Sequence, residues 1–359
     1  MAEPVAPTRS PGRPPRLQDV AELAGVSLGA ASRILRGDCG SFSEHTSERV
    51  LAAAATLGWR RNLLVSGMQT GRTRTVGVVI PPYDSFWIGV LAGIHERLGE
   101  ADYLPITVWL GDLDHMPHFE ADAKRGMQLM NRLLDRRVDG LILWPPFGLA
   151  YYQHARELQD RTVPVAMIDY HFDAAICDAV TTDEAAATAE VARHLHGLGH
   201  RHVAYISSRE VASQSWAIER RRGLEAACRS VGVRLVVSKL NEAGDDAGDV
   251  ARALLRSQPR PTAIVTATDH EARDVYRAAA EAGLSIPGDL SVVGFADLDF
   301  APGMTPPLTT VRQRAGEIGV TAAGMLLARI ESPLRDGHYQ DVRVTADLVV
   351  RQSTAPAPA

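Results

Sequence analysis

At 359 residues the chain is too long for one ordinary domain and leaves room for two or three. Its 45% hydrophobic and 23% charged residues have the balance of a soluble globular protein, and no run approaches the ~20 apolar residues that cross a bilayer. The net charge of −5 argues against a dedicated nucleic-acid coat protein, yet residues 1–74 carry ten Arg against six Asp or Glu, net +4, leaving −9 on the remainder. A basic first fifth on an acidic remainder suggests a small DNA-contacting module joined to a larger body.

In chain order, residues 1–15 are rich in proline and arginine, without the apolar core of a signal peptide or anchor. They read as a disordered tail. Cys39, Cys177 and Cys228 are odd in number and far apart, which suits a reducing cytoplasm and supports neither a disulfide framework nor a zinc cluster. Leu17–Leu57 predicts three short helices. The first, Leu17–Ala24, ends at Gly25; the second, Leu28–Leu35, starts behind a Ser27 cap; the third, Glu44–Leu57, lies between Ser43 and Gly58. The tight Ala24-Gly25-Val26-Ser27 turn is a helix-turn-helix signature.

From Val76 onward short apolar runs alternate with amphipathic stretches. Val76–Pro81 precedes Trp87–Leu98, Pro105–Leu110 precedes Asp122–Arg136, and Leu141–Trp144 precedes Tyr151–Leu158. The rhythm continues at Val163–Asp169, His202–Ser207, Arg234–Ser238, Ala263–Thr266 and Ser291–Phe295. Continuous apolar strands interleaved with helices predict parallel sheets covered on both faces, and their number predicts two doubly wound lobes. Ligands of such folds bind outside the carboxyl ends of strands, here in the cleft between lobes. Residues 62–74 read as a hinge and residues 353–359 as a Pro/Ala tail.

The run Leu17-Gln18-Asp19-Val20-Ala21-Glu22-Leu23-Ala24-Gly25-Val26-Ser27, with Ala31-Ser32-Arg33-Ile34-Leu35, resembles the headpiece of the lactose/galactose-repressor (LacI/GalR) family of transcription regulators. Further ordered blocks, among them Ile286-Pro287-Gly288-Asp289-Leu290-Ser291 and Arg351-Gln352-Ser353-Thr354, extend the resemblance over residues 16–354. It implies a helix-turn-helix domain at 16–61 and a body like the periplasmic binding proteins. The implied N-terminal lobe is 75–172 with 297–322, and the C-terminal lobe 173–296 with 323–352. It implies a cytoplasmic homodimer, a repressor, whose two headpieces bind double-stranded operator DNA under control of a sugar-like effector. The apolar stripe Trp87, Val90, Leu91 and Ile94 is the expected dimer surface.

The second helix would enter the major groove with Ser27, Leu28, Gly29, Ala30, Ser32 and Arg33 at the DNA, Arg33 being the residue able to fork onto a guanine. Thr46 and Asn62, at helix starts, suit phosphate oxygens, and Met68 stands at the hinge position of the family's minor-groove wedge. Leu28-Gly29 and Ala30 depart from the polar residues usual there, leaving Leu28 a thymine methyl at most.

For the cleft, Tyr83, Asp84, Phe86 and Trp87 follow the first strand, Trp144 the third, and Asp169 and Tyr170 the fourth. Trp216, Arg220 and Asp269 come from the second lobe, Asp297 follows Gly294-Phe295-Ala296, and aromatics with Asp and Arg suit a sugar. Asp269 and Asp297 also fit helix caps, and the tryptophans also fit a core. Ala296 and Glu184 replace an Asp and an Asn usual in the family. His194, His196, His200 and His202 invite a metal, but their spacing spreads them over different helix faces, so neither metal nor cofactor is expected.

No phosphate loop, GxSxG elbow or HExxH occurs, so an enzyme is not expected. The alternatives are a solute-binding protein of the same two-lobe fold, which has no use for Leu17–Leu57, or an activator or ligand-independent member of the regulator family.

Overall fold

The first helix, α1 (Leu17–Ala24), is fixed at its ends. Asp19 accepts the backbone N–H of Arg16 at 2.7 Å, and Gly25 closes the helix at φ +63°. The positive φ favours glycine there, and the space a Cβ would take is filled by the Arg49 guanidinium, which donates to the Ala24 carbonyl. Ser27 then caps α2 (Leu28–Ile34) through the Ala30 N–H, and Ser43 caps α3 (Glu44–Leu57) through that of Thr46, each at 3.2 Å. Val20, Ala24, Ala31, Ile34, Val50 and Ala54 form the core of this small unit. The three helices match their expected spans to within one residue.

The computed structural model describes residues 13–60, 71–81, 84–109, 119–144, 158, 163–170, 176–212, 214–237, 246–332 and 338–358. The chain divides into two units, Met1–Thr73 and Arg74–Ala359. The hinge residues 62–70, with Asn62 and Met68, lie outside the described residues, as do Tyr83 and most of the helix expected over Tyr151–Leu158.

The second unit holds two six-stranded sheets. The first has the order β11 (Asp341–Val344), β5 (Asp178–Thr182), β4 (Val165–Ile168), β3 (Gly140–Leu143), β1 (Thr75–Ile80) and β2 (Leu104–Trp109), all parallel. The second runs β12 (Ala346–Val349), β10 (Thr309–Gln313), β9 (Ser291–Ala296), β8 (Ala263–Thr266), β6 (His202–Ile206) and β7 (Arg234–Val237), with β12 alone antiparallel to its neighbour. The helices are α4 (Ser85–Glu100), α5 (Phe119–Asp135), α6 (Glu184–Gly197), α7 (Arg209–Ala212), α8 (Ser215–Ser230), α9 (Ala247–Arg256), α10 (Asp269–Glu281) and α11 (Ala315–Glu331). Fully buried Val and Ile runs such as Val76–Ile80 give each sheet an apolar cluster on both faces.

Sheet membership corrects the expected lobe boundaries. β5 lies in the first sheet, so the first lobe runs on past residue 172. β10 lies in the second sheet, whereas α11 packs its Ile318, Ala322 and Leu326 into the core of the first, with β11 beside β5. The chain therefore crosses between lobes after Thr182, Gln313 and Val344. The crossings are tied together: Gln313 donates to the Thr182 hydroxyl and the Asp183 N–H to the Val344 carbonyl, each at 2.8 Å. The 353–359 segment, expected as a tail, is docked at its start. The buried Ser353 hydroxyl accepts from the Thr309 N–H at 2.7 Å and donates to the Val292 carbonyl at 2.6 Å. His194 bonds Thr354, and His200 bonds Thr262, Ser291 and Ala355, so both anchor the chain.

The stripe expected to meet a partner is also corrected. Trp87, Val90 and Ile94 are buried in their own lobe, with Leu91 packed against them. Helical spacing marks a buried face without saying what covers it. Here α11 does, and the large exposed apolar residues on this pair are Ile88, 63% exposed, and Val320.

Candidate functional site

On the first unit, α2 turns Ala31 and Ile34 inward and leaves Ser27, Leu28, Gly29 and Arg33 exposed, with Ala30, Ser32 and Thr46 half-buried. Leu28 is 52% exposed, an apolar side chain held in water on a capped helix N-terminus. Arg33 is paired within the chain, donating at 2.8 Å to both Asp38 and Ser41 and lying 5.1 Å from the Phe42 ring centre. An exposed pair of this kind contributes about 0–1 kcal/mol, whereas a forked guanine contact contributes about 1–3 kcal/mol, so the pair is no obstacle to base contact.

On the second unit, loops at the carboxyl ends of both sheets meet. Asp84 caps α4 through the Phe86 and Trp87 N–H groups at 3.1 and 3.3 Å, and its other oxygen lies 3.5 Å from His270 of the opposite lobe. Ser85 accepts the Asp299 N–H at 3.2 Å. Behind these contacts lies a group of buried charges. Arg220, 3% exposed, donates from Nε and Nη2 to the two oxygens of Glu184, each at 2.7 Å, and from Nη1 to the Ala267 carbonyl. Its guanidinium carbon sits 3.4 Å from the Phe295 ring centre and 4.6 Å from that of Trp216. Burial opposes the charge on Arg220, but Glu184 more than offsets this, so the guanidinium stays protonated.

Asp169, at positive φ after β4 and only 5% exposed, feels the charges of Glu184, Arg220 and Asp84. Its Oδ1 has no hydrogen-bond partner among the described residues. Burial, and then Glu184, push its carboxyl up to about 7. Burial likewise lifts Glu271 to about 7, against N–H donors from Ser208 and Thr268. The buried Tyr205 hydroxyl, within the field of Arg220, also has no partner among the described residues.

The structure thus brings Asp84, Asp169, Trp216 and Arg220 together, with Tyr170 half-buried beside Asp169. Other expected contacts are placed elsewhere. Asp269 has no accessible surface, accepting from the Thr310 hydroxyl at 2.6 Å and the Leu298 N–H at 2.8 Å. Asp297 pairs with Arg312 at 2.7 Å and Arg351 at 2.6 Å. Both carboxylates brace the second lobe. Phe86, Trp87 and Trp144 pack together in the first lobe's core, with ring centres 5.1 and 5.3 Å apart. Glu184, Glu271, Tyr205 and Phe295 were not among the expected contacts; Glu184 drew attention in the sequence only as a departure from Asn.

One variant tests the electrostatics. Because the folded Asp169 value lies above the unfolded ~3.9, its stabilising contribution is complete below about pH 4 and is lost as pH rises through 7. Asp169→Asn should therefore stabilise the fold over the parent at pH 8, by at most about 4 kcal/mol, and change its stability little at pH 4. Thermal unfolding at the two pH values checks this, and an equal increment at both would contradict it.

Comparison with known proteins supplies a family context. Residues 16–62 match the model for bacterial regulatory proteins of the lacI family, and residues 192–354 the periplasmic binding protein-like domain. The ribose operon repressor of Escherichia coli (strain K12) is 29% identical, over 94% of this chain and 99% of its own. The lac repressor dimer solved with operator and the anti-inducer ONPF shares the fold, with TM-score 0.77 and 24% identity over 96% of this chain and all of that one. A LacI family transcriptional regulator from Enterococcus faecalis, solved with bound ribose, has TM-score 0.64 and 26% identity over 79% of this chain and all of its own. No helix among the described residues is long and apolar enough to cross a membrane.

Proposed function

We propose that this chain, with a lacI-family DNA-binding domain joined to a periplasmic-binding-protein-like body, is a regulator of the lacI family, a cytoplasmic repressor controlled by a small polyol. Two copies bind a two-fold-symmetric operator, and a sugar-sized effector between the lobes sets their affinity. It acts by binding and carries out no catalytic step. The observation that carries this reading is the union of two features in one chain. A helix-turn-helix unit leaves the outer face of α2 open to a major groove, and a two-lobed body gathers Asp84, Asp169, Trp216 and Arg220 where its lobes meet. Ribose in the Enterococcus faecalis regulator supports the ligand class.

Selection of bound duplexes from a random DNA pool by the full-length protein tests the reading. It should return a palindromic consensus, and recovery of no consensus would overturn the proposal. Sedimentation of the free protein should give twice the chain mass of 38.8 kDa, with Ile88→Asp shifting it toward monomer because a carboxylate would face the partner. An unshifted dimer would place the interface elsewhere.

Within this reading, Arg33→Ala removes one base contact from each half-site. At about 1–3 kcal/mol per contact, affinity for the selected operator should fall at least roughly thirtyfold. The unfolding temperature should hardly move, since the lost Asp38 pair is exposed. A drop in stability comparable to a core substitution would instead make Arg33 structural.

A further inference from the structure

We propose that the ligand between the lobes carries a positive charge, a protonated amine on a sugar-sized polyol, and that Asp169 receives that amine. The proposal rests on the cleft being the effector site, as argued above, and concerns the chemical class of that effector.

Arg220 is the buried cation whose charge Asp169 already feels. A free buried guanidinium would suit neutral hydroxyls or an anionic group, but here three of its N–H groups are taken, two of them by Glu184 in a fork at 2.7 Å. Glu184 also cancels its charge, and the Trp216 and Phe295 rings stand against the guanidinium. Further carboxyls stand around the pair, with the His270 ring 3.5 Å from one of them, Asp84. Glu271 is 5% exposed and receives backbone N–H groups, and among the described residues no cation bonds it, though it lies in the field of Arg220. Asp169 is equally buried, and its Oδ1 has no partner among the described residues. The Asp84 carboxyl lies within electrostatic reach of Asp169 as well. Among the described residues, one guanidinium thus serves three buried carboxyls, with a fourth, part-exposed carboxyl beside them.

A buried polar atom without a partner marks a place where something is missing. A hydroxyl of a neutral sugar would give Asp169 a hydrogen bond but no counter-charge. An ammonium would supply both the hydrogen bond and the charge, and in a desolvated site the difference is large. Burial already holds the Asp169 carboxyl near neutrality in the free protein. A cation would draw off its proton and fix it as the carboxylate, leaving Arg220 on Glu184.

Calorimetric titration of the full-length protein with matched pairs tests this: glucosamine with glucose, galactosamine with galactose, mannosamine with mannose, and ribose alone. At least one amine should bind tenfold or more tightly than its hydroxyl partner and than ribose. Asp169→Asn should weaken that amine at least tenfold while changing the hydroxyl partner less than threefold. Glu184→Gln, which releases Arg220, should weaken the amine and strengthen glucuronate. Tighter binding of ribose or of the hydroxyl member in every pair would overturn the charge assignment while leaving the regulator reading intact. Absence of binding by every amine would overturn it too. Failure of operator selection, by contrast, would strike the regulator reading and leave an amine preference standing.

Discussion

Gly319→Val should lower the unfolding temperature of the full-length protein by at least roughly 10 °C, the largest stability loss we expect from any single methyl-bearing substitution in the body. The cause is the crossing of α4 and α11. A Cβ built on Gly319 would stand 2.1 Å from the Val90 carbonyl oxygen and 2.9 Å from the Ile94 nitrogen, both backbone atoms of the opposite helix. Gly93 meets Gly316 in the same way, its Cβ falling 2.1 Å from that carbonyl oxygen. Backbone cannot swing aside as a side chain can, so the helices must separate. Ile94, Ile318 and Ala322 would then lose their packing in the first lobe's core. Calorimetric unfolding of Gly319→Val and Gly93→Ala reads the effect. A change below about 2 °C in both would show that the helices do not cross this closely in solution.

The second large effect is electrostatic. Arg220→Met should cost about 3–5 kcal/mol, because it strands the Glu184 carboxylate with 2% of its side chain exposed and no counter-charge. The loss should shrink as pH falls, since Glu184 is then free to take up a proton. Pairing it with Glu184→Leu should recover most of the stability, because replacing both members of a buried pair with apolar groups is close to neutral. Equal losses in the single and double variants would mean that Arg220 acts through its contacts with Trp216 and Phe295 rather than through charge.

The limits of what the sequence discloses follow from the same chemistry. The headpiece was legible almost to the residue because its information is local: Ser27, Ser43, Gly25 and Gly58 each act on the helix they adjoin. Strands of continuous valine and isoleucine such as β1 were legible too. β5 and β10 were not recognised as strands, because Asp178, Thr181, Thr182, Thr309 and Thr310 look like surface residues. In the fold they are buried, and several are satisfied from far along the chain: Asp178 by Arg329 at 2.6 and 2.7 Å, Thr182 by Gln313, and the Thr309 hydroxyl by the Arg351 N–H. Those missing strands are also why the lobe boundaries were misplaced. In the cleft, position after a strand identified Asp84 and Asp169, but it equally suggested Asp269 and Asp297. Only the partners Thr310, Arg312 and Arg351 separate a brace from a contact. The role of Glu184 depends on Arg220, 36 residues away, and residue type alone could not supply it.

The most direct test of the central claim, that occupation of the cleft sets affinity for DNA, is a pair of binding curves. Full-length protein is titrated onto its selected operator at fixed salt, with and without a saturating compound from the calorimetric panel. The same curves are then taken, at a concentration that fills the parent but not the variant, for a variant that binds the compound more weakly, Asp169→Asn for an amine. The account predicts at least a tenfold change in operator affinity for the parent and less than a twofold change for the variant. Equal operator affinity with the cleft full and empty, for a compound proven to bind there, would contradict it.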